Sequence, residues 1–509
     1  MEWPDFHNGV ASALEMIHDG HTLDSHWLFH GQGPSPNATH AGFLLGIGLI
    51  GKIAGLGRVH AWRYLINRHN LTSVGIILGL AATFVGTRDR VAFTLLSIQL
   101  PSFLPNDSAA LNIPFQTQAA GLLGVGLIFL GSNQRSKVDT LIRDIVPPEP
   151  ESRDIQADYR EGHALAAGFA VGLIMLGRAQ QDSMESQADQ DIVAKLQQLM
   201  AGMGLDQNST SMHRLHNMGV TSIPATIALA LIFLRSNRQD IASRISIPQS
   251  AETVDTLRPD FLLVRALARS LIMWDAVQDS AEWICSQLPP YMRDLKVTQL
   301  NASPTEQAVQ LAYLNMRAGL CFAIGLKYAG TGPGSRAATV LQQVVNSMTT
   351  EARVRPVGYF GKVRLHALQA GLDLVSLAAA IVMAGSGDLG LLASLRARHH
   401  NMNLSYGNQM ATHMAIGMLF LGGGRFTLGS SDKAIACLLI ACFPRFPVNS
   451  SDNRAHLQAF RHLWLLAVQS RLVIARDVDT HRSECIAITT RTEGDSAATV
   501  NTPSLLPPL

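Results

Sequence analysis

One type of segment recurs about ten times along this chain, and it limits the fold more than any other feature. Each copy places small residues two to four apart, then a bulky apolar cluster, then Gly beside a polar residue. Residues 118–132 (QAAGLLGVGLIFLGS) are the clearest copy. The same frame fits Gly48 in 41–51, Ala81 in 72–87, Gly172 in 163–177 and Ala230 in 225–236. It returns at Gly325 in 318–330, Ala380 in 374–385 and Gly417 in 412–422, with weaker copies in 261–275 and 456–468. Copies are spaced about 33 to 58 residues apart, in or just above the range of helical solenoids.

Each copy reads as a helix buried most of the way round. Gly costs about 1 kcal/mol relative to Ala inside a helix, so its repeated use there needs a return. That return is close approach of neighbouring backbones, expected at Gly48, Gly79, Gly126, Gly172, Gly325 and Gly417. The trailing Gly131, Gly177 and Gly422 suit helix ends that need positive φ. Polar segments and a second, amphipathic helix follow, as in 136–145. Stacked helix–turn–helix units share a continuous core, so no copy folds alone. Between copies, 100–114, 146–158 and 447–454 read as loops or turns, 180–219 as a partly helical insertion, and 491–509 as an irregular tail. Short strands are expected only at 472–474 and 485–490.

Composition excludes several function classes. The chain is 47% apolar and 15% charged with a formal net charge of +2, so no basic stripe points to nucleic acid. Five scattered cysteines argue for reduced thiols rather than a disulfide framework. The N-terminus lacks a basic and then apolar leader, so no signal peptide is expected, and sequons such as Asn37, Asn208 and Asn449 read as chance. Apolar runs such as 41–50, 74–85 and 121–130 fall short of the ~20 residues that span a bilayer. A polytopic membrane protein is therefore the minor alternative, its GxxxG pairs (Gly42/Gly46, Gly75/Gly79) being read as packing between core helices.

Motifs that suggest chemistry fail on context. Gly46, Gly48, Gly51 and Lys52 approach two nucleotide-binding patterns, but Ile53 stands where Ser or Thr should ligate Mg²⁺, and no strand precedes them. The histidines His399, His400, His413, His456 and His462 form no metal-ligand spacing. No catalytic residue, cofactor or metal is expected. The polar run 449–462 reads as a capping turn that opens a helix, with Asp452 or Asn453 as N-cap. Alternatively Asn453, Arg454, His456 and Arg461 organise an inter-repeat or partner contact.

The repeats resemble the proteasome/cyclosome repeat family. Blocks outside the general repeat resemble the branch found in the largest subunit of the anaphase-promoting complex. These blocks are Glu2-Trp3-Pro4 with 6–11, the stretch 413–425, and Asp452-Asn453-Arg454 with 456–463 and 477–480. The resemblance implies an all-α superhelical toroid or solenoid with a small β-containing C-terminal piece. It divides the chain into a lead-in helix and loop (1–40), the repeat ring (41–470) and a remnant of a C-terminal module (471–509). The family's β-propeller and middle helical region have no counterpart in this sequence. It also implies a non-catalytic scaffold of a ubiquitin ligase acting in the cell cycle, in nucleus and cytoplasm. Its partners would be a cullin-like catalytic subunit, a degron co-receptor, tetratricopeptide-repeat subunits and a coactivator. A peptide-binding helical repeat outside that complex is the alternative.

Overall fold

The computed structural model describes residues 2–16, 28, 35–66, 69–105, 112–146, 159–181, 187–203, 217–293, 295, 302–399, 404–480, 482–490 and 498–506. Most of the loop at 146–158, parts of the stretches 100–114, 180–219 and 491–509, and His400 and Asn208 lie outside the described residues. The fold is all-α with small strand pieces. The chain divides into two compact units: residues 1–247, 260–276 and 439–466 form the first, and 248–259, 277–438 and 467–509 the second.

The longer helices of the first unit, among the described residues, are α1 (Glu2–Glu15), α2 (Ala38–Leu49), α3 (Arg58–Ile66), α4 (Asn70–Thr83), α5 (Arg90–Ser97), α6 (Phe115–Ile128), α7 (Arg135–Asp144), α8 (Arg160–Ile174), α9 (Gln187–Met200), α10 (Met218–Ile232), α11 (Gln239–Arg244) and α12 (Pro259–Ile272). Helices α1, α2, α4, α6, α8 and α10 pack each on the next. Every residue of α6 from Ala119 to Ile128 is buried, as its lack of a polar face dictates. The partner helix α7 buries only Val138, Leu141 and Ile142, one side of a helix. Residues 1–40 are more than a lead-in, because α1 buries Trp3, Phe6 and Val10 and packs on α2 through Gly9 and Gly42.

Small residues set the separation of these helices. A Cβ at Gly48 would overlap the backbone of Gly79, and one at Gly79 would stand 2.6 Å from the Leu44 carbonyl. A Cβ at Gly126 would lie 2.6 Å from Ala170 Cα, and one at Gly172 2.6 Å from the Leu231 side chain. Gly46 and Gly48 lie inside α2, where backbone N–H groups bond within the helix. That local structure is incompatible with a phosphate-cradling loop.

The turns after these helices form a repeated joint. Gly131 (φ 65°) and Asn133 (φ 54°) donate their N–H groups to the carbonyls of Leu173 and Ile174, at the end of the next core helix, at 2.9 and 3.0 Å. Gly86 and Arg88 do the same to Leu127 and Ile128, and Arg235 and Asn237 to Leu271 and Ile272. Gly177 donates to Leu231. Positive φ is therefore needed less to finish a helix than to aim donors at the last carbonyls of its successor, which the helix itself leaves under-satisfied.

The second unit repeats the joint with longer helices. It holds α13 (Ala281–Gln287), α14 (Pro304–Lys327), α15 (Arg336–Ala352), α16 (Gly358–Val382), α17 (Leu389–His399) and α18 (Tyr406–Leu419), with α14, α16 and α18 packed in succession. A Cβ at Gly325 would lie 2.7 Å from Ala378 Cα. Gly330 and Gly332 donate to Ile381 and Val382, and Gly385 and Gly387 to Met418 and Leu419. Gly417, by contrast, has open space where a Cβ would go, so close approach does not explain it. Gly422 has φ 54° and a Cβ there would overlap Phe426.

Among the described residues two helices, α14 and α16, are long and apolar enough to cross a membrane, beyond the short runs that the sequence presents. The apolar windows of both are mostly buried within the structure, 78% and 72%. Strand β1 (Phe426–Leu428) pairs antiparallel with β2 (Val468–Ser470). Three further two-stranded pairs join Leu472–Val473 to Ser504–Leu505, Ala475–Arg476 to Ser483–Glu484, and Ala487–Thr490 to Ala498–Asn501.

Candidate functional site

Residues 439–466 join the first unit although residues 277–438 of the chain lie between them and its preceding segment. They carry the densest group of buried polar side chains in the candidate set. The weak copy at 456–468 is not an α-helix: Gln458–Ala467 winds as 3-10 turns. Side chains explain the departure, since they claim the backbone groups around it.

Arg461 is almost fully buried and donates from Nη1 to the carbonyls of Ala441 (3.0 Å) and Phe443 (2.6 Å), and from Nη2 to that of Arg445 (2.7 Å). Its guanidinium lies 3.9 Å from the centre of the Phe446 ring. Ala441 ends the helix Asp432–Ala441, so the cation faces the negative end of a helix dipole. His456 donates from Nε2 to the Ile440 carbonyl (2.9 Å) and stacks on Phe443. Complete burial, with the Arg461 charge in support, holds its imidazole well below the usual histidine range, so it stays neutral.

Asn453 is buried too, accepting from the Gln458 N–H (2.9 Å) and donating to the Ser451 carbonyl (3.2 Å). It is thus a turn-forming side chain and not the N-cap of an α-helix. Asp452 accepts from the Val448 N–H (3.1 Å) and from Arg454. Of the four residues singled out by sequence, Arg454 alone turns an exposed side chain outward, while its carbonyl accepts the Gly162 N–H (3.0 Å).

Sequence reasoning missed the partners that close the cluster. Gln458 bonds the Ser450 and Asp452 carbonyls (both 3.0 Å) and His7 Nε2 (3.2 Å). His7 Nδ1 in turn meets His462 Nε2 at 2.8 Å, a bond that requires at least one neutral ring. Burial lowers the pKa of both, and for His462 the neighbouring His7 adds to it. Arg445 pairs with Glu161 (3.1 Å) and with Asp260. Partners 455 and 284 positions apart leave no local signal in a sequence.

Chemically, this arrangement anchors a distal segment; its polar groups are directed at the chain's own backbone and side chains. Cys321, Cys437 and Cys442 are fully buried, and burial pushes their thiols up to about 12, far from nucleophilic thiolate. Among the described residues no group of three or more His, Cys, Asp or Glu side chains is placed to hold a metal. The outer surface differs. On α3, Val59, Trp62 and Ile66 are exposed at 75%, 37% and 55%, on one face at helical spacing. Beside them Trp62, Ile66, Ile98, Ile113 and Pro114 line a cavity of about 450 Å³.

Comparison with known proteins gives consistent matches. The family described as APC1 fifth domain matches residues 90–469, and that described as APC1 fourth domain matches 1–85. The chain is 36% identical to the anaphase-promoting complex subunit 1 of Schizosaccharomyces pombe, over 100% of this chain and 34% of that protein. It is 35% identical to the human protein of the same name, over 96% of this chain and 26% of that one. A protein of Emericella nidulans named negative regulator of mitosis is 36% identical over 100% of this chain and 24% of its own length. The chain thus spans between 24% and 34% of these relatives' length.

Proposed function

This chain belongs to the anaphase-promoting complex subunit 1 family, and from that membership we propose that it is a non-catalytic scaffold of a multi-subunit ubiquitin ligase that controls cell-cycle progression. It holds catalytic, co-receptor, tetratricopeptide-repeat and coactivator subunits in place, in nucleus and cytoplasm. The observation that carries this reading is where its polar side chains are spent. Asn453, His456 and Arg461 bond the chain's own backbone, whereas apolar Val59, Trp62 and Ile66 remain outside. A rigid stack with inward-facing polar anchors and exposed apolar stripes suits holding other proteins better than acting on a substrate.

The test is a native purification of the tagged chain from dividing cells, without detergent, with co-purifying proteins identified by mass spectrometry. Recovery of the other ligase subunits, the cullin-like one included, is the expected result. A chain that purifies well without them overturns the assembly role. The stripe and cavity at α3 favour a second reading, a peptide-binding repeat outside that complex, which predicts saturable peptide binding lost on Trp62→Ala.

A further inference from the structure

Helices α14 and α16 are close in length, 24 and 25 residues, but they use that length differently. In α14 burial begins at Val309, in the second turn. In α16 no residue from 358 to 367 is buried, and the buried block starts at Leu368. The first turns of α16 therefore extend outside the core, joined to the end of α15 by a short turn. Arg364 ties this extension to α15 through Glu351, and what it holds out in solvent is the turn before it, together with Tyr359 and Lys362.

The turn carries an unusual surface. Val354, Val357 and Tyr359 are exposed at 64%, 65% and 85%, on neighbouring positions of one tip. Arg353, Arg355 and Lys362 are exposed around them, and none is held in an ion pair among the described residues. The nearby carboxylate of Glu351 is already paired with Arg364. The tip is also shaped in advance: Pro356 fixes its own φ, Gly358 takes φ 70°, and a Cβ at Gly361 would stand 3.3 Å from Pro356.

We propose that the tip between α15 and α16 docks an acidic protein segment bearing apolar side chains. Three cations without an ion pair among the described residues, beside two valines and a tyrosine, match the polar rim and apolar centre of protein interfaces, where Arg and Tyr are enriched. Complementary charge then steers and orients the partner, and a preformed turn lowers the ordering cost. A phosphate track is the poorer match, since three cations on a chain of net charge +2 give little counterion release. Ligase membership does not enter: the tip's exposure and charge stand without it.

The test uses the full chain and an arrayed library of short fluorescent peptides mixing glutamate, aspartate, leucine and phenylalanine, read by anisotropy. Saturable binding that weakens with added salt is expected. Arg353→Glu with Arg355→Glu should weaken the tightest peptide about tenfold, and Val354→Ser with Val357→Ser and Tyr359→Ser about as much. All five side chains are exposed, so the thermal melting curve should not move, and this separates lost docking from lost folding. No saturable peptide, or binding that neither set of substitutions changes, overturns the proposal. So does capture by phosphatidylserine vesicles or an RNA oligomer, through these same residues, in place of peptide.

Discussion

The two units are built on the same joint but hold themselves together over different distances. In the first, the polar anchors span most of the chain: His7 meets His462, Glu161 meets Arg445, and Gly162 meets Arg454. In the second, the buried carboxylate of Asp373 pairs with Arg398 and accepts from Asn408, all within two repeats. A stack whose contacts are mostly between neighbours behaves as a one-dimensional array, in which each repeat adds its own stability. The first unit departs from that limit, because one distal segment touches its first, middle and last core helices. It should lose structure as one body, and the second repeat by repeat.

The largest effect should come from breaking the first unit's anchor. Arg461→Met takes the guanidinium from the Ala441, Phe443 and Arg445 carbonyls, of which Phe443 keeps the Arg445 N–H, and should cost about 3 kcal/mol. Hydrogen exchange should then show protection falling together from α1 to α12 while α14 and α16 keep theirs. Equal loss in both units would abolish the contrast. Asp373→Ala strands a buried guanidinium and should cost about 3 kcal/mol, with the exchange increase confined to α16, α17 and α18.

Packing offers a sharper version of the same comparison. Gly48→Ala forces α2 and α4 apart against backbone and should cost about 1–3 kcal/mol in urea unfolding. Acid should also act on the first unit. Burial lowers the pKa of His7, His456 and His462, and brings His40 to about 4, below the usual 6.5. The unfolded chain then binds more protons than the folded one, so stability falls as pH drops below about 6.5, and for His40 down to about 4. Melting temperature measured from pH 7.5 to 4.5 should fall, and less so in a His7→Gln, His462→Gln double variant. The smallest effect should be a gain: Gly417→Ala fills open space inside α18 and should add up to about 1 kcal/mol, seen as a slightly higher melting temperature.

Much of the fold is legible in the sequence because its signal is local. Small-residue spacing within 118–132 is enough to place α6 and its burial all round, and Val138, Leu141 and Ile142 mark the inner face of α7. The joint was only half visible. Gly131-Ser132-Asn133, Arg235-Ser236-Asn237 and Gly385-Ser386-Gly387 share a pattern, but Arg235 hides the positive φ that glycine advertises. The polar cluster was visible as residues and not as geometry. Asn453 and Asp452 read like helix caps because the local pattern is the same, and only Gln458, His7 and Arg445, reached through tertiary contact, reveal an anchor.

The joint between successive core helices also gives the array a direction. At the turns after α4, α6, α8, α10, α14 and α16 the backbone reaches forward, supplying donors to the helix that follows; the turn after α2 differs, since there the Thr83 hydroxyl of α4 donates back to the Gly48 carbonyl. Removing a repeat from the front exposes spare carbonyls, which water satisfies easily at a surface; removing one from the back strands N–H groups held in place by positive φ. The molecule is therefore easier to begin than to end. Between one joint and the next, from Gly131 to Gly177 and on to Arg235, the chain is free to lengthen, because register is restored at every turn. Such an architecture accepts new loops at its surface without renegotiating its interior.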